Sequence, residues 1–249
     1  MAGHSKWANI KRRKGAQDVA RGKLFTKLVK EVMVASKMGG SDVDANARLR
    51  LAVDKCRQNS VPKDTVTRAI AKGAGELQGD DYQEFFLEGY GPGGVAVLIE
   101  VLTDNRNRAA ADIRHAFSKG NGSLGTSGCV AYMFARKGVI VVPIAEHDED
   151  EVMMAALEAD AEDMSAEGGN FEVVTDPGLF ESVRDALAQA GFEAETADVT
   201  FVPDNTVTLA GDDVSGFLRL VDLLDDCDDV QNVHHNADIS DEDLAALEA

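Results

Sequence analysis

Nine of the first thirty residues are Lys or Arg: Lys6, Lys11, Arg12, Arg13, Lys14, Arg21, Lys23, Lys27 and Lys30 stand against a single acid, Asp18. A cluster this dense attracts polyanions, because each phosphate it contacts releases condensed counterions. Trp7, the one tryptophan of the chain, sits between Lys6 and Lys11. An indole among cations can stack on an unpaired base; it can equally anchor the arm on its own domain. Transit peptides are also basic and acid-poor, and a basic run can simply be a solvated face. Nucleic-acid contact is the reading adopted. A second cationic group lies in Thr103-Asp104-Asn105-Arg106-Asn107-Arg108. Arg106 and Arg108 are expected at a strand-to-helix junction, where unsatisfied N–H groups and the helix dipole favour an anion. Arg114 and Lys119 could extend that patch. The competing reading is that Asp104 or Asn107 caps the helix while the arginines pair locally, and spacing alone tips towards it.

Other chemistries fail on context. Gly89, Gly91, Gly93 and Gly94 mimic a nucleotide loop but fall between two strands, where a dinucleotide turn needs a strand and then a helix. No P-loop is present. His234-His235 lacks a third ligand at a recognisable spacing. Asp112 and His115 share a helix face without a neighbouring nucleophile. The acid runs at 146–151, 158–163 and 222–229 do not follow the EF-hand pattern and read as hydrated carboxylates. Cys56, Cys129 and Cys227 are scattered and odd in number, as expected of buried thiols in a reducing compartment. The expectation is therefore no catalysis, no metal, no cofactor and no small-molecule substrate.

The elements that would hold the basic residues follow from periodicity. Residues 1–22 are polar, with Gly3, Gly15 and Gly22 expected to break any long helix. From Lys23 to Met38 the pattern is helical: Leu24, Phe25, Leu28, Val29 and Val32 form one face, and Lys23, Lys27, Lys30 and Lys37 fall in a roughly 80° sector opposite. Gly39-Gly40 stops it, Ser41 is the expected cap of a second helix, and Pro62 opens a third that ends at Gly73. The period then changes to strands at 82–89 and 95–102, a helix at 107–119 and a flexible loop at 120–125. Strands at 129–134 and 139–142 are joined by Arg136-Lys137-Gly138. Helices follow at 148–161, 177–190 and 214–224, with extended segments at 171–175, 192–202, 206–209 and 230–234. Residues 237–249 read as a frayed acidic tail. The fold class is α+β: an N-terminal helical domain followed by two small α/β sandwich domains.

Charge is distributed unevenly. Net charge is −19, yet residues 1–73 hold 17 Lys and Arg against 6 Asp and Glu, and from Gly138 onward only Arg184 and Arg219 are Lys or Arg. The basic end is drawn to phosphate, and the acidic end avoids it or faces a basic protein surface. No apolar run is long enough to span a bilayer, and the beginning carries no apolar signal core. The expected location is cytoplasmic, without a membrane partner.

Several stretches are similar to one family. Gly3-His4-Ser5-Lys6-Trp7-Ala8-Asn9-Ile10-Lys11, Arg13-Lys14, Gly22-Lys23-Leu24-Phe25-Thr26-Lys27, Val61-Pro62-Lys63-Asp64, Glu88-Gly89-Tyr90-Gly91-Pro92-Gly93-Gly94, Thr103 to Arg108 and Arg136-Lys137-Gly138 resemble the YebC family. That family includes bacterial proteins described as transcriptional regulators and a mitochondrial translational activator of cytochrome c oxidase. The likeness is dense to about residue 145 and looser beyond. Arg12 stands where His is common, and Ala20 where a basic residue often occurs. The resemblance implies three domains: a basic helical one over 1–79, a middle α/β one over 80–136 plus 205–249, and an inserted, ferredoxin-like α/β one over 137–204. It also implies no catalysis and no cofactor. Two partners stay open: promoter DNA, for a transcriptional regulator, and the ribosome with its ribosomal RNA, for a translation factor.

Overall fold

The structure is a computed structural model that describes residues 17–78, 81–144, 147–167 and 169–246. By its contacts the chain divides into two compact units. One runs to Cys129 and includes Ser215–Val233; the other comprises Val130–Val214 and the chain from His234.

The first unit begins with three helices, α1 (Gln17–Gly39), α2 (Ala47–Gln58) and α3 (Lys63–Gly73). Leu28, Val32 and Ala35 of α1 pack against Leu49, Ala52 and Cys56 of α2 and Val66 and Ala69 of α3. Leu24, expected on that apolar face, is instead exposed. Helix α1 also runs through Gly22, which does not break it. The cap of α2 is Asn46, not Ser41. The Asn46 side chain accepts from Leu49 N at 3.1 Å and donates to the carbonyls of Ala35 and Gly40, both at 2.8 Å. One buried amide thus closes α1 and opens α2. Helix α3 crosses α1 at Gly73, where a Cβ would collide with the Met33 carbonyl.

Strands β1 (Gln83–Tyr90) and β2 (Ala96–Thr103) then form an antiparallel hairpin, paired from Gln83↔Thr103 to Tyr90↔Ala96. Seven of the eight residues of β2 are buried, as its continuous apolar run requires. Helix α4 (Arg106–Lys119) follows. The expected loop at 120–125 contains a short strand, β3 (Ser123–Leu124), antiparallel to the end of β1. Sequence reading missed it because glycines dominate the segment.

The other unit begins at β4 (Phe134–Pro143). Arg136-Lys137-Gly138, expected to join two strands, lies inside this single strand. Gly138 is there for clearance: a Cβ would stand 2.6 Å from Thr175 Cγ2 and 2.7 Å from the Phe180 ring. Helix α5 (Glu149–Glu158), β5 (Asp163–Glu167), β6 (Asn170–Thr175), α6 (Phe180–Gln189) and β7 (Thr196–Pro203) complete a four-stranded antiparallel sheet of order β5-β6-β4-β7. This βαββαβ order is the ferredoxin-like arrangement. Val152 and Ala156 of α5 and Phe180, Val183 and Leu187 of α6 are buried. β8 (Val207–Leu209) follows.

Helix α7 (Asp212–Asp225) and β9 (Val230–His235) return the chain to the first sheet, whose order is β3-β1-β2-β9. Leu220 of α7 packs on Gly120 and Phe117 of α4 lies against Gly89, so both helices cover the same face. The segment read as a frayed tail holds β10 (Ala237–Ile239), paired in parallel with β8, and α8 (Asp241–Ala246). Ala237 and Ile239 are buried. The fold is α+β, as expected.

Candidate nucleic-acid interface

Lys6, Trp7, Lys11, Arg12, Arg13 and Lys14 lie outside the described residues, and Arg21 is placed on α1 with its side chain outside them. Of the remaining cations singled out from sequence, Lys23, Lys27, Lys30 and Arg108 converge on one turn, Asp225 to Asp229, between α7 and β9, and Arg106 does not. The α1 lysines reach it at successive helical turns. Lys23 Nζ donates to Asp226 Oδ1 at 2.9 Å and to the Asp226 carbonyl at 3.2 Å. Lys27 Nζ donates to the Asp225 carbonyl at 3.0 Å. Lys30 Nζ donates to the Asp228 carbonyl at 2.8 Å and lies 3.4 Å from Asp229 Oδ1.

The physical cause is the end of α7. The last carbonyls of a helix have no intrahelical donor and carry the negative pole of its dipole. Four aspartates within the five residues 225–229 deepen that potential. Lysines spaced three and four apart on α1 face it as one row. The hydrogen bond to Asp226 raises the Lys23 pKa above its ordinary value. Lys37, the fourth lysine of the face, pairs with Asp81.

Asp229 is the buried hub of this row. Its carboxylate meets Lys30 on one side and Arg108 on the other, with Arg108 Nε at 3.0 Å and Nη2 at 2.8 Å from Oδ2. Arg108 Nη2 also reaches Asp104 at 2.7 Å. Hydrogen bonds to Asp229 and then Asp104 raise the Arg108 pKa. The α4 cap is Asn105, whose Oδ1 accepts from Arg108 N at 3.1 Å; neither Asp104 nor Asn107 fills that role. The exposed Arg106 lies over the Phe85 ring, 4.1 Å from its centroid. Arg106 and Arg108 are therefore neighbours in sequence with different surroundings: one stacks on an aromatic face, the other joins an ion network.

Cys227 sits within the turn. Burial, then the charge of Asp112, pushes its thiol up to about 11 against the opposing effect of Lys27. His234 is buried beside Phe201, with ring centroids 5.3 Å apart and Nδ1 3.4 Å from Thr200 Oγ1. It packs in the core of its own unit. The residues that sequence reasoning missed are Asp225, Asp226, Asp228 and Asp229. The only signal was four acids at the end of an amphipathic helix, and the run was read as hydrated.

Comparison with known proteins covers nearly the whole chain. A family model described as the TACO1/YebC N-terminal domain matches residues 5–76, and one described as the TACO1/YebC second and third domain matches residues 82–237. A "Probable transcriptional regulatory protein" of Syntrophotalea carbinolica is 56% identical over 247 residues, 99% of each chain. One of the same description from Idiomarina loihiensis is 54% identical over 249 residues, all of both chains. The crystal structure of a conserved hypothetical protein from Aquifex aeolicus superposes with a TM-score of 0.83 at 41% identity, over 92% of this chain and 95% of that one.

Proposed function

The chain belongs to the TACO1/YebC family, and from that premise we propose that it is a non-enzymatic, nucleic-acid-binding regulator of gene expression that acts in the cytoplasm on promoter DNA. One observation carries the reading: residues 1–73 concentrate 17 Lys and Arg against 6 acids in a chain whose net charge is −19. Positive charge confined to one end selects phosphate, and the acidic remainder keeps the rest of the molecule off it. The names of the relatives support a regulatory role. The work divides between the basic helical domain, residues 1–79, and two acidic α/β domains, 80–136 with 205–249 and 137–204.

Within that reading, Lys6, Lys11, Arg12, Arg13, Lys14 and Arg21 grip the backbone, and Lys23, Lys27 and Arg106 extend the track. Lys30 and Arg108, tied to Asp229, position it. Contacts of this kind hold phosphate without reading base edges, so sequence preference is weak. No cofactor or metal takes part. A second reading, a translation factor on ribosomal RNA, is favoured by Trp7 between Lys6 and Lys11, because an indole suits the unstacked bases of irregular RNA.

The two separate in a sucrose gradient of cell lysate run with the natural chain and with Arg12→Glu/Arg13→Glu/Lys14→Glu/Lys23→Glu. A shift of promoter fragments, lost in the variant, with migration at the top of the gradient, is the expected result. Co-migration with ribosomes that the variant loses would replace DNA by RNA. Behaviour identical for both chains would remove the nucleic-acid reading.

A further inference from the structure

We propose that the Asp225–Asp229 turn is an internal stand-in for a phosphodiester backbone: it occupies the α1 lysine row, and a nucleic acid must displace it from Lys23 and Lys27 to bind there. The inference rests on the nucleic-acid reading above and concerns how that site is controlled.

Three features of the turn carry it. Its groups are oxygen acceptors of partial or full negative charge, the same chemistry a phosphate offers an ammonium. They meet Lys23, Lys27 and Lys30 one helical turn after another, as the phosphates of a strand running along α1 would. Burial is graded along the row. At the Asp229 end the Lys30 and Asp229 side chains are 9% and 6% exposed. At the far end Lys23 and Asp226 are 37% and 76% exposed. An exposed pair is weak and screened by salt, whereas a buried one is not. The turn is therefore fixed at Asp229 and releasable at Asp226. Asp228 is exposed, and its charge attracts Lys23 and repels incoming phosphate. The consequence is a competitive threshold: polyanions of low charge density leave the lysine row covered, and dense ones open it.

The test titrates the full chain with a fluorescein-labelled DNA duplex and, separately, with an RNA hairpin, both of mixed sequence. Asp225→Asn/Asp226→Asn/Asp228→Asn, which spares Asp229, binds about tenfold tighter than the natural chain. Its plot of log affinity against log salt steepens by about one, for Lys23, which loses its carboxylate partner, while Lys27 keeps its backbone carbonyl. The same three changes gain nothing when Lys23→Gln/Lys27→Gln is already present. The probe that shows the gain identifies the source of the phosphodiester. An equal gain without the two lysines would mean that lost negative charge acts at long range, and it overturns the proposal. A natural chain that binds while the triple variant gains nothing overturns it too, and leaves the proposed function standing. No binding by any variant to either probe removes both. Hydrogen exchange on the natural chain gives a second measurement that needs no substitution. The amides of residues 226–228 exchange faster in the complex if the turn is released, and slower exchange there refutes release.

Discussion

Asp229 holds Lys30 and Arg108 on one carboxylate; Lys30 and Asp229 are buried, while Arg108 reaches in from the surface. Removing that charge leaves the buried Lys30 ammonium with the Asp228 carbonyl but without its carboxylate, which costs far more than losing an exposed pair. Asp229→Asn should lower the free energy of unfolding by on the order of 3 kcal/mol in urea titrations. Asp226→Asn, at the exposed end, should cost less than about 1 kcal/mol. The thiols give a second prediction at this scale. Burial pushes Cys56 up to about 11, as burial and nearby carboxylates do for Cys227. The folded chain holds these protons more tightly than the unfolded chain, whose thiols lose theirs near 9.0. Their contribution to stability is intact below that pH and is lost as the pH climbs through about 11. Alkylation of both should be slow at neutral pH, and Cys56→Ala should flatten the alkaline fall of the melting temperature. A steep fall retained in that variant would assign the effect elsewhere. At this scale the sequence was half legible. The spacing of Lys23, Lys27 and Lys30 placed them on one face, but nothing local told what faces them, since their partners lie some two hundred positions downstream.

Elements were easier to read than their contacts, and the misreadings share a cause. Arg136-Lys137-Gly138 has the composition of a turn, yet Gly138 is required by the approach of Phe180 and Thr175 to a continuous strand. β5 (Asp163–Glu167) escaped notice because it pairs on one side only, with β6, at the edge of its sheet, where acidic residues are tolerated. β10 is three residues long, too short for a period to declare itself, whereas β8 falls within the extended segment expected at 206–209. Helices α2, α3 and α4 were legible because apolar spacing, a proline start and terminal glycines agreed. Close approach sets the cost of change at this scale. Gly73→Ala drives a methyl into the Met33 carbonyl of α1 and should destabilise the helical domain by about 2 kcal/mol. Leu49→Ala opens a cavity at a fully buried position and should cost about 3 kcal/mol. Calorimetry of each variant checks both, and an unshifted transition for Gly73→Ala would mean that the two helices part without penalty.

For the whole molecule, charge acts with opposite signs on stability and on binding. At net charge −19 the carboxylates repel one another, and added salt screens that repulsion. The same salt removes the entropy gained by releasing counterions from nucleic acid. Between about 0.01 M and about 0.3 M NaCl the melting temperature should rise while affinity for duplex falls. A melting temperature that falls with salt would place attraction between the two signs of charge above repulsion within the acidic body. The sheet order β3-β1-β2-β9 also has a consequence for synthesis. Strand β2 reaches its outer neighbour only after the whole stretch from β4 to β8 has been translated. As the chain emerges from the ribosome, the inserted sheet can close first, while the edge of β2 waits bare for β9. A pause during translation of residues 210–229 would prolong that wait and hand the open edge to chaperones or to another nascent copy.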